Sequence, residues 1–207
     1  LLDKDRRGLV QLSDKMTEAG FKAPGLYPLD LAGVGPDEFS DLFNVINSEY
    51  GGLDGLVHCA LDFDSLQPLD QIQPQEWLRL MQVNVNAPWL LSSTLLPLLN
   101  KSDAGRLLFL LDHVEKVTGA YWGAYGVGKS ALAGLVRQFG DALSDSPVRV
   151  HGVIPGPMRT NFRAKVYHAE NPLDQPDPVI VASRIAEILA GLNPSDELVL
   201  DFSENQI

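Results

Sequence analysis

Short apolar runs at 25–28, 55–60, 106–111, 148–154 and 197–202 alternate along this 207-residue chain with longer stretches of helical period. A strand-length run followed by a helix-length period, repeated, is the pattern of parallel strands joined by crossover helices, so an α/β domain is expected. Four of the five runs are rich in Leu, Val and Ile without strict alternation, as strands covered on both faces require. Helices are expected at 7–19, where Leu9, Leu12 and Met16 share a face ahead of Gly20, and at 37–50, ending at Gly51-Gly52. A long apolar helix at 76–99, opened by Pro74, is expected to kink at Pro88. Further helices are expected at 122–143 and 178–192.

Composition narrows the function classes. With 16 Lys+Arg against 27 Asp+Glu, the net charge of -11 argues against binding a nucleic-acid backbone, which needs a basic face. A single cysteine, Cys59, excludes an internal disulfide; its first reading is a small buried hydrophobe. The apolar stretch 87–99 is broken by Ser92, Ser93 and Thr94 and is too short for a bilayer span, so no membrane partner is expected. Without a signal-peptide pattern, the expected location is cytoplasmic. The chain opens on Leu1-Leu2 rather than Met, as the end of a strand would, and a segment upstream is expected. No partner at ligand spacing accompanies His151 or His168, so no metal site is expected.

The pair with the sharpest chemistry is Tyr125 and Lys129, four apart and therefore one turn from each other on the same helical face. A nearby ammonium favours the phenolate and is expected to lower the tyrosine pKa into a range useful for proton transfer. Downstream, 157–178 is polar, carries Pro172, Pro176 and Pro178, and lacks an apolar period. Such a segment reads as a mobile lid or a binding loop over a pocket, and it carries Met158, Phe162, Tyr167 and His168. Tyr121, Trp122 and Trp89 read first as packing residues, with the first two also placed to line that pocket.

These segments together resemble the short-chain dehydrogenase/reductase family. Asn84 in Val83-Asn84-Val85-Asn86-Ala87 resembles the family's helix asparagine, and Leu56-Val57-His58-Cys59-Ala60 its Asn-Asn-Ala-Gly strand end. The run from Ile154 through Pro155, Gly156, Pro157, Met158 and Arg159 to Thr160 resembles its Pro-Gly turn, and Asp30 stands where an acidic residue meets adenine. The resemblance implies a single Rossmann-like domain over 1–207, a doubly wound three-layer sandwich with a mainly parallel sheet. Its strand order would be 3-2-1-4-5-6-7, with the first strand and its Gly-rich loop upstream of Leu1. It also implies an NAD(P)-dependent oxidoreductase interconverting an alcohol and a ketone or aldehyde. Tyr125 would be the proton carrier and Lys129 its partner and ribose anchor, while Asn84 would place a relay water. Asp3, Asp30, Ala60, Pro155, Gly156 and Thr160 would meet the dinucleotide. Asp3 leans toward NAD by accepting from the ribose 2′-hydroxyl, while Lys4, Arg6 and Arg7 read either as phosphate partners, which would lean toward NADP, or as a solvated helix start, so the expectation has a slight edge for NAD.

Two departures stand inside this pattern. Asp112, thirteen residues before Tyr125, occupies the place of the family serine that donates to the substrate carbonyl. Ionised aspartate only accepts, and beside a tyrosinate it would raise the tyrosine pKa. Leu61 replaces the glycine of the strand-end motif, where a side chain either crowds the cofactor or turns away. A catalytically silent protein binding a nucleotide or partner through the same fold is therefore the alternative. The helices from Glu76 and from Trp122 are those the family pairs between subunits, so a homodimer or homotetramer is expected.

Overall fold

The computed structural model describes residues 1–192 and 195–203. Six strands run in chain order: β1 (Leu2–Asp3), β2 (Tyr27–Pro28), β3 (Gly55–His58), β4 (Arg106–Leu110), β5 (Arg149–Ile154) and β6 (Val199–Asp201). All pair in parallel, in two ladders, β1–β2 and β3–β4–β5–β6. The connecting helices are α1 (Arg6–Glu18), α2 (Pro36–Tyr50), α3 (Pro74–Met81), α4 (Ala87–Leu99), α5 (Val114–Val117), α6 (Gly123–Ala142), α7 (Asn161–Val166) and α8 (Pro178–Leu189). None is long and apolar enough to cross a membrane among the described residues.

The period-two alternation of β4 explains the three layers. Leu107 and Phe109 face a core built with Leu99 of α4 and with Leu132 and Val136 of α6. Leu108 faces the opposite core with Val181 and Ile188 of α8. A third core joins Phe39 and Leu42 of α2 to Leu91, Leu95 and Leu98 of α4, with Leu2, Tyr27 and Leu56 packed against it. These shared helices link the two ladders. β4, paired on both sides, buries Leu107, Leu108 and Phe109 completely, while all four β3 residues stay half-buried.

Local signals set the helix ends. Asp5 caps α1 by accepting from the Arg7 N–H, and Gly20 follows it with φ of 85°. Glu38 reaches back to the Gly35 N–H at 2.8 Å, and left-handed Gly51 closes α2. The expected kink at Pro88 takes the form of a π-helical turn over Gln82–Asn86, where the Ala87 N–H bonds to the Gln82 carbonyl. Pro88 has no N–H for the Asn84 carbonyl, so the regular ladder cannot run through this turn. The segment 157–178, read as lacking an apolar period, contains α7 with Val166 buried, and Arg163 pairs with Glu170 at 2.7 Å. Six residues are too few for a period to show.

Candidate active site

Parallel strands deliver their C-terminal ends to one edge of a sheet, and ligands of open α/β sheets bind where the winding reverses. That edge carries Asp3 at the end of β1, Ala60 beyond β3, Asp112 beyond β4 and Pro155-Gly156 beyond β5. Helix α6 supplies the reactive pair from the side. Tyr125, 3% exposed, donates its hydroxyl proton to Asp112 Oδ2 at 2.8 Å, while Asp112 Oδ1 accepts the His113 N–H at 2.8 Å. One turn on, buried Lys129 donates from Nζ to the Leu110 carbonyl at 2.7 Å, and Nζ lies 5.6 Å from the Tyr125 ring centroid. Both side chains are thus anchored to the end of β4.

The electrostatics reverse one expectation. Burial, then the Asp112 charge and hydrogen bond, push the Tyr125 pKa up, although Lys129 was expected to bring it down. Burial also lowers Lys129 to about 8, against the opposing attraction of Asp112. The carboxylate wins because it touches the phenol directly, whereas the ammonium is spent on a backbone carbonyl. Burial first, and then Asp112, hold Tyr125 in its protonated form.

Aromatic rings close over Tyr125. Tyr125 meets Phe162 of α7 at 5.1 Å between centroids, Trp122 at 5.4 Å and Phe63 at 5.7 Å. Phe63 and Phe162 also meet edge to face at 5.2 Å. Phe63 lies in the loop after β3, which Asn84 braces. Asn84 Oδ1 accepts the Asp62 N–H and Nδ2 donates to the Asp62 carbonyl, both at 2.8 Å. Arg79 of α3 pairs with the Asp62 carboxylate. What Asn84 does here is hold the loop that carries Phe63. Asp62, Arg79 and Phe63 escaped sequence reading because no spacing rule links a loop residue to helix positions 17 and 22 residues on.

The remaining expected residues are placed as follows. Asp3 Oδ1 accepts the Asp5 N–H at 2.9 Å, and Asp30 Oδ1 accepts the Ala32 N–H at 3.1 Å; both carboxylates are exposed at strand ends with a second oxygen free of these turns. Ala60 is exposed beyond β3, beside Leu61, which turns toward solvent. Gly156 has φ of 75°, a conformation that favours glycine. Thr160 caps α7 by accepting the Arg163 N–H at 3.2 Å, leaving its own proton to donate. Cys59, expected to be buried, is exposed because β3 ends one residue earlier and the chain turns outward. His58, stacked on Phe109 at 4.7 Å and joined to Ser92 Oγ at 2.7 Å, is lowered to about 3 by burial and is neutral. His113 turns away from Tyr125 to Ser203 Oγ at 3.0 Å, so it supplies no donor there.

Known proteins share this fold. A family model described as short chain dehydrogenase matches residues 1–171. The uncharacterized oxidoreductase YciK of Escherichia coli K12 is 36% identical over 172 residues, which are 83% of this chain and 68% of that protein. A short chain dehydrogenase structure from Salmonella enterica serovar Typhi superposes with a TM-score of 0.91 at 30% identity, covering 97% of this chain and 83% of that one. A structure from Escherichia coli CFT073, solved with NADPH, gives 0.89 at 31% identity, covering 97% and 84%. With the sheet edge, the paired Tyr125 and Lys129 and matches over most of its length, the chain belongs to the short chain dehydrogenase family.

Proposed function

We propose that the protein is an NAD(P)-dependent oxidoreductase that moves a hydride between a nicotinamide ring and the carbon of an alcohol or carbonyl, with Tyr125 carrying the proton. The observation behind this reading is the buried Tyr125 hydroxyl, one turn from Lys129 and aimed across the C-terminal edge of the sheet. The residues there fit the nicotinamide-ribose half of a dinucleotide. Lys129 spends one of three ammonium donors on Leu110, Gly156 brings bare backbone to the edge, and Thr160 keeps a free hydroxyl proton. When bound, the dinucleotide supplies the hydride. Tyr125, kept protonated, rests in the state that carbonyl reduction needs, ready to give its proton to the developing alkoxide.

Asp3 was the argument for NAD, and half of its carboxylate is engaged by the Asp5 N–H. Lys4, Arg6 and Arg7 stand exposed beside it, and a solved relative carries NADPH, so NADPH is the first cofactor to test. Segment 157–178 is the lid in this reading, because Phe162 must leave the Tyr125 ring before substrate reaches the hydroxyl. The proposed homo-oligomer has apolar side chains to bury on the long helices, among them Leu78, Trp89 and Val127, all exposed. A single-chain mass by light scattering would remove it.

The test is fluorescence titration of the full-length protein with NADPH and NADH, followed by turnover on a carbonyl panel. Asp112→Ser is expected to raise carbonyl turnover, since serine can donate where the carboxylate only accepts. Absence of any gain at every pH, with cofactor bound, would count against this account of Asp112. The silent alternative draws on the same Tyr125–Asp112 bond, and it takes over if neither dinucleotide binds.

A further inference from the structure

A carbonyl being reduced gathers negative charge on oxygen, and the group nearest the Tyr125 hydroxyl at this site is a carboxylate. Asp112 Oδ2 accepts from Tyr125 and Oδ1 from a backbone N–H, so each oxygen has a lone pair left and no proton to give. The single Tyr125 proton is already given to Asp112, so a substrate heteroatom arriving there meets the remaining lone pairs of Asp112 and no unspent hydroxyl donor. A carbonyl oxygen has nothing to accept until Tyr125 turns from Asp112. A protonated nitrogen needs no such change: its N–H donates to Asp112 as it stands. The walls point the same way. Phe63 and Trp122 flank Tyr125 and stay there when Phe162 moves off, a setting that favours a flat cation over a neutral group of the same size. Lys129 is the opposing charge, and its Nζ is directed at the Leu110 carbonyl.

We propose that this site selects a protonated C=N bond in a flat, aryl or cyclic iminium over the corresponding ketone, with Asp112 holding the substrate nitrogen. The inference rests on the hydride-transfer reading for its chemistry but not for its binding preference. The iminium carbon accepts a hydride from the reduced nicotinamide dinucleotide, forming the new C–H bond. Its C=N π pair becomes the nitrogen lone pair. The products are a neutral amine and the oxidised dinucleotide, so charge balances without a further proton. Asp112 keeps its charge throughout, and no oxyanion develops beside it.

The test compares 3,4-dihydroisoquinoline, in mildly acidic buffer where it is protonated, with the bicyclic aryl ketone α-tetralone. Binding is measured by titration calorimetry on the full-length protein with oxidised NADP present, so that nothing turns over, and then NADPH consumption is followed with each. The imine is expected to bind more tightly, and its kcat/KM to exceed that of the ketone by about a hundredfold. Asp112→Ser and Asp112→Asn, both confirmed folded by circular dichroism, are expected to lose the binding preference, and the serine variant to gain ketone turnover. Equal or tighter ketone binding by the wild type overturns the proposal, as does a preference that survives in both variants. A binding preference that disappears in the variants, without NADPH consumption on either compound, supports the selectivity and defeats the hydride-transfer reading instead.

Discussion

Replacing Gly126 by alanine is expected to lower the melting temperature by roughly 6–12 °C, from a loss of about 3 kcal/mol in a domain of this size. Gly126 sits in α6 immediately after Tyr125 and is buried. A Cβ there would lie 1.9 Å from the Val117 carbonyl oxygen and 3.0 Å from its carbon, and 3.3 Å from Trp122 Cβ. No side-chain rotation relieves a collision with backbone, so α5 or α6 must move. Because α5 follows directly from Asp112 and His113, that movement also separates the Tyr125 hydroxyl from Asp112 Oδ2. Gly134, two turns along the same helix, is the control, since a Cβ there has nothing within 4 Å. Gly134→Ala is expected to stabilise by about 0.5–1 kcal/mol through helix propensity. Thermal melts of the two variants check both signs. Equal melting temperatures would mean that the α5–α6 contact is not as close as the structure has it.

Tyr125→Phe is expected to reduce kcat by about a hundredfold to ten-thousandfold, the range for removing a positioned proton carrier. The ring contacts to Phe63, Phe162 and Trp122 survive the change, so NADPH affinity should hold. Asp112 loses one donor but is only half-buried, which limits the stability loss to about 1 kcal/mol. The wild-type pH profile provides a second reading of the site. As pH rises through about 8, Lys129 gives up its proton, and the positive charge beside Tyr125 goes with it. Wild-type kcat/KM, which reports the free enzyme, should therefore fall above that pH. Stability should move the other way over the same window. The folded Lys129 pKa lies below its ordinary value of 10.5, so between about 8 and 10.5 the unfolded chain holds more protons, and the contribution of Lys129 to stability rises with pH. Denaturant melts beside kinetics across that window check the opposing trends. A kcat/KM that stays flat while stability rises would show that the Lys129 charge takes no part in turnover.

The strand runs and helix periods were legible because each is a short-range pattern. The run at 106–111 became β4 over Arg106–Leu110, and the period at 122–143 became α6 over Gly123–Ala142. The meeting of Tyr125 and Lys129 was equally legible, since a spacing of four on a helix puts two side chains together whatever surrounds them. Helix α7 was hidden in 157–178 because six residues between prolines make no readable period, and its fold depends on Thr160 as cap and on the Arg163–Glu170 pair. Asn84 was found as a residue, but not its bonds to Asp62, a residue brought in from 22 positions away.

The amino-acid order alone determined the parallel α/β architecture and the reactive pair, because periodicity and local spacing carry both, while the family resemblance marked Asp112 as standing in a serine's place. Only the tertiary structure decided what the pair is chemically. Whether Tyr125 is raised or lowered depends on which charge touches it in a dry environment, and that environment is assembled from Phe63, Asp112, Trp122 and Phe162, on four separate stretches of chain. The ammonium nearest in sequence was drawn off by the Leu110 carbonyl, and the carboxylate thirteen residues away became the hydroxyl's partner. Electrostatic interaction in a protein interior follows distance and burial, and neither is written in the spacing of residues along a chain.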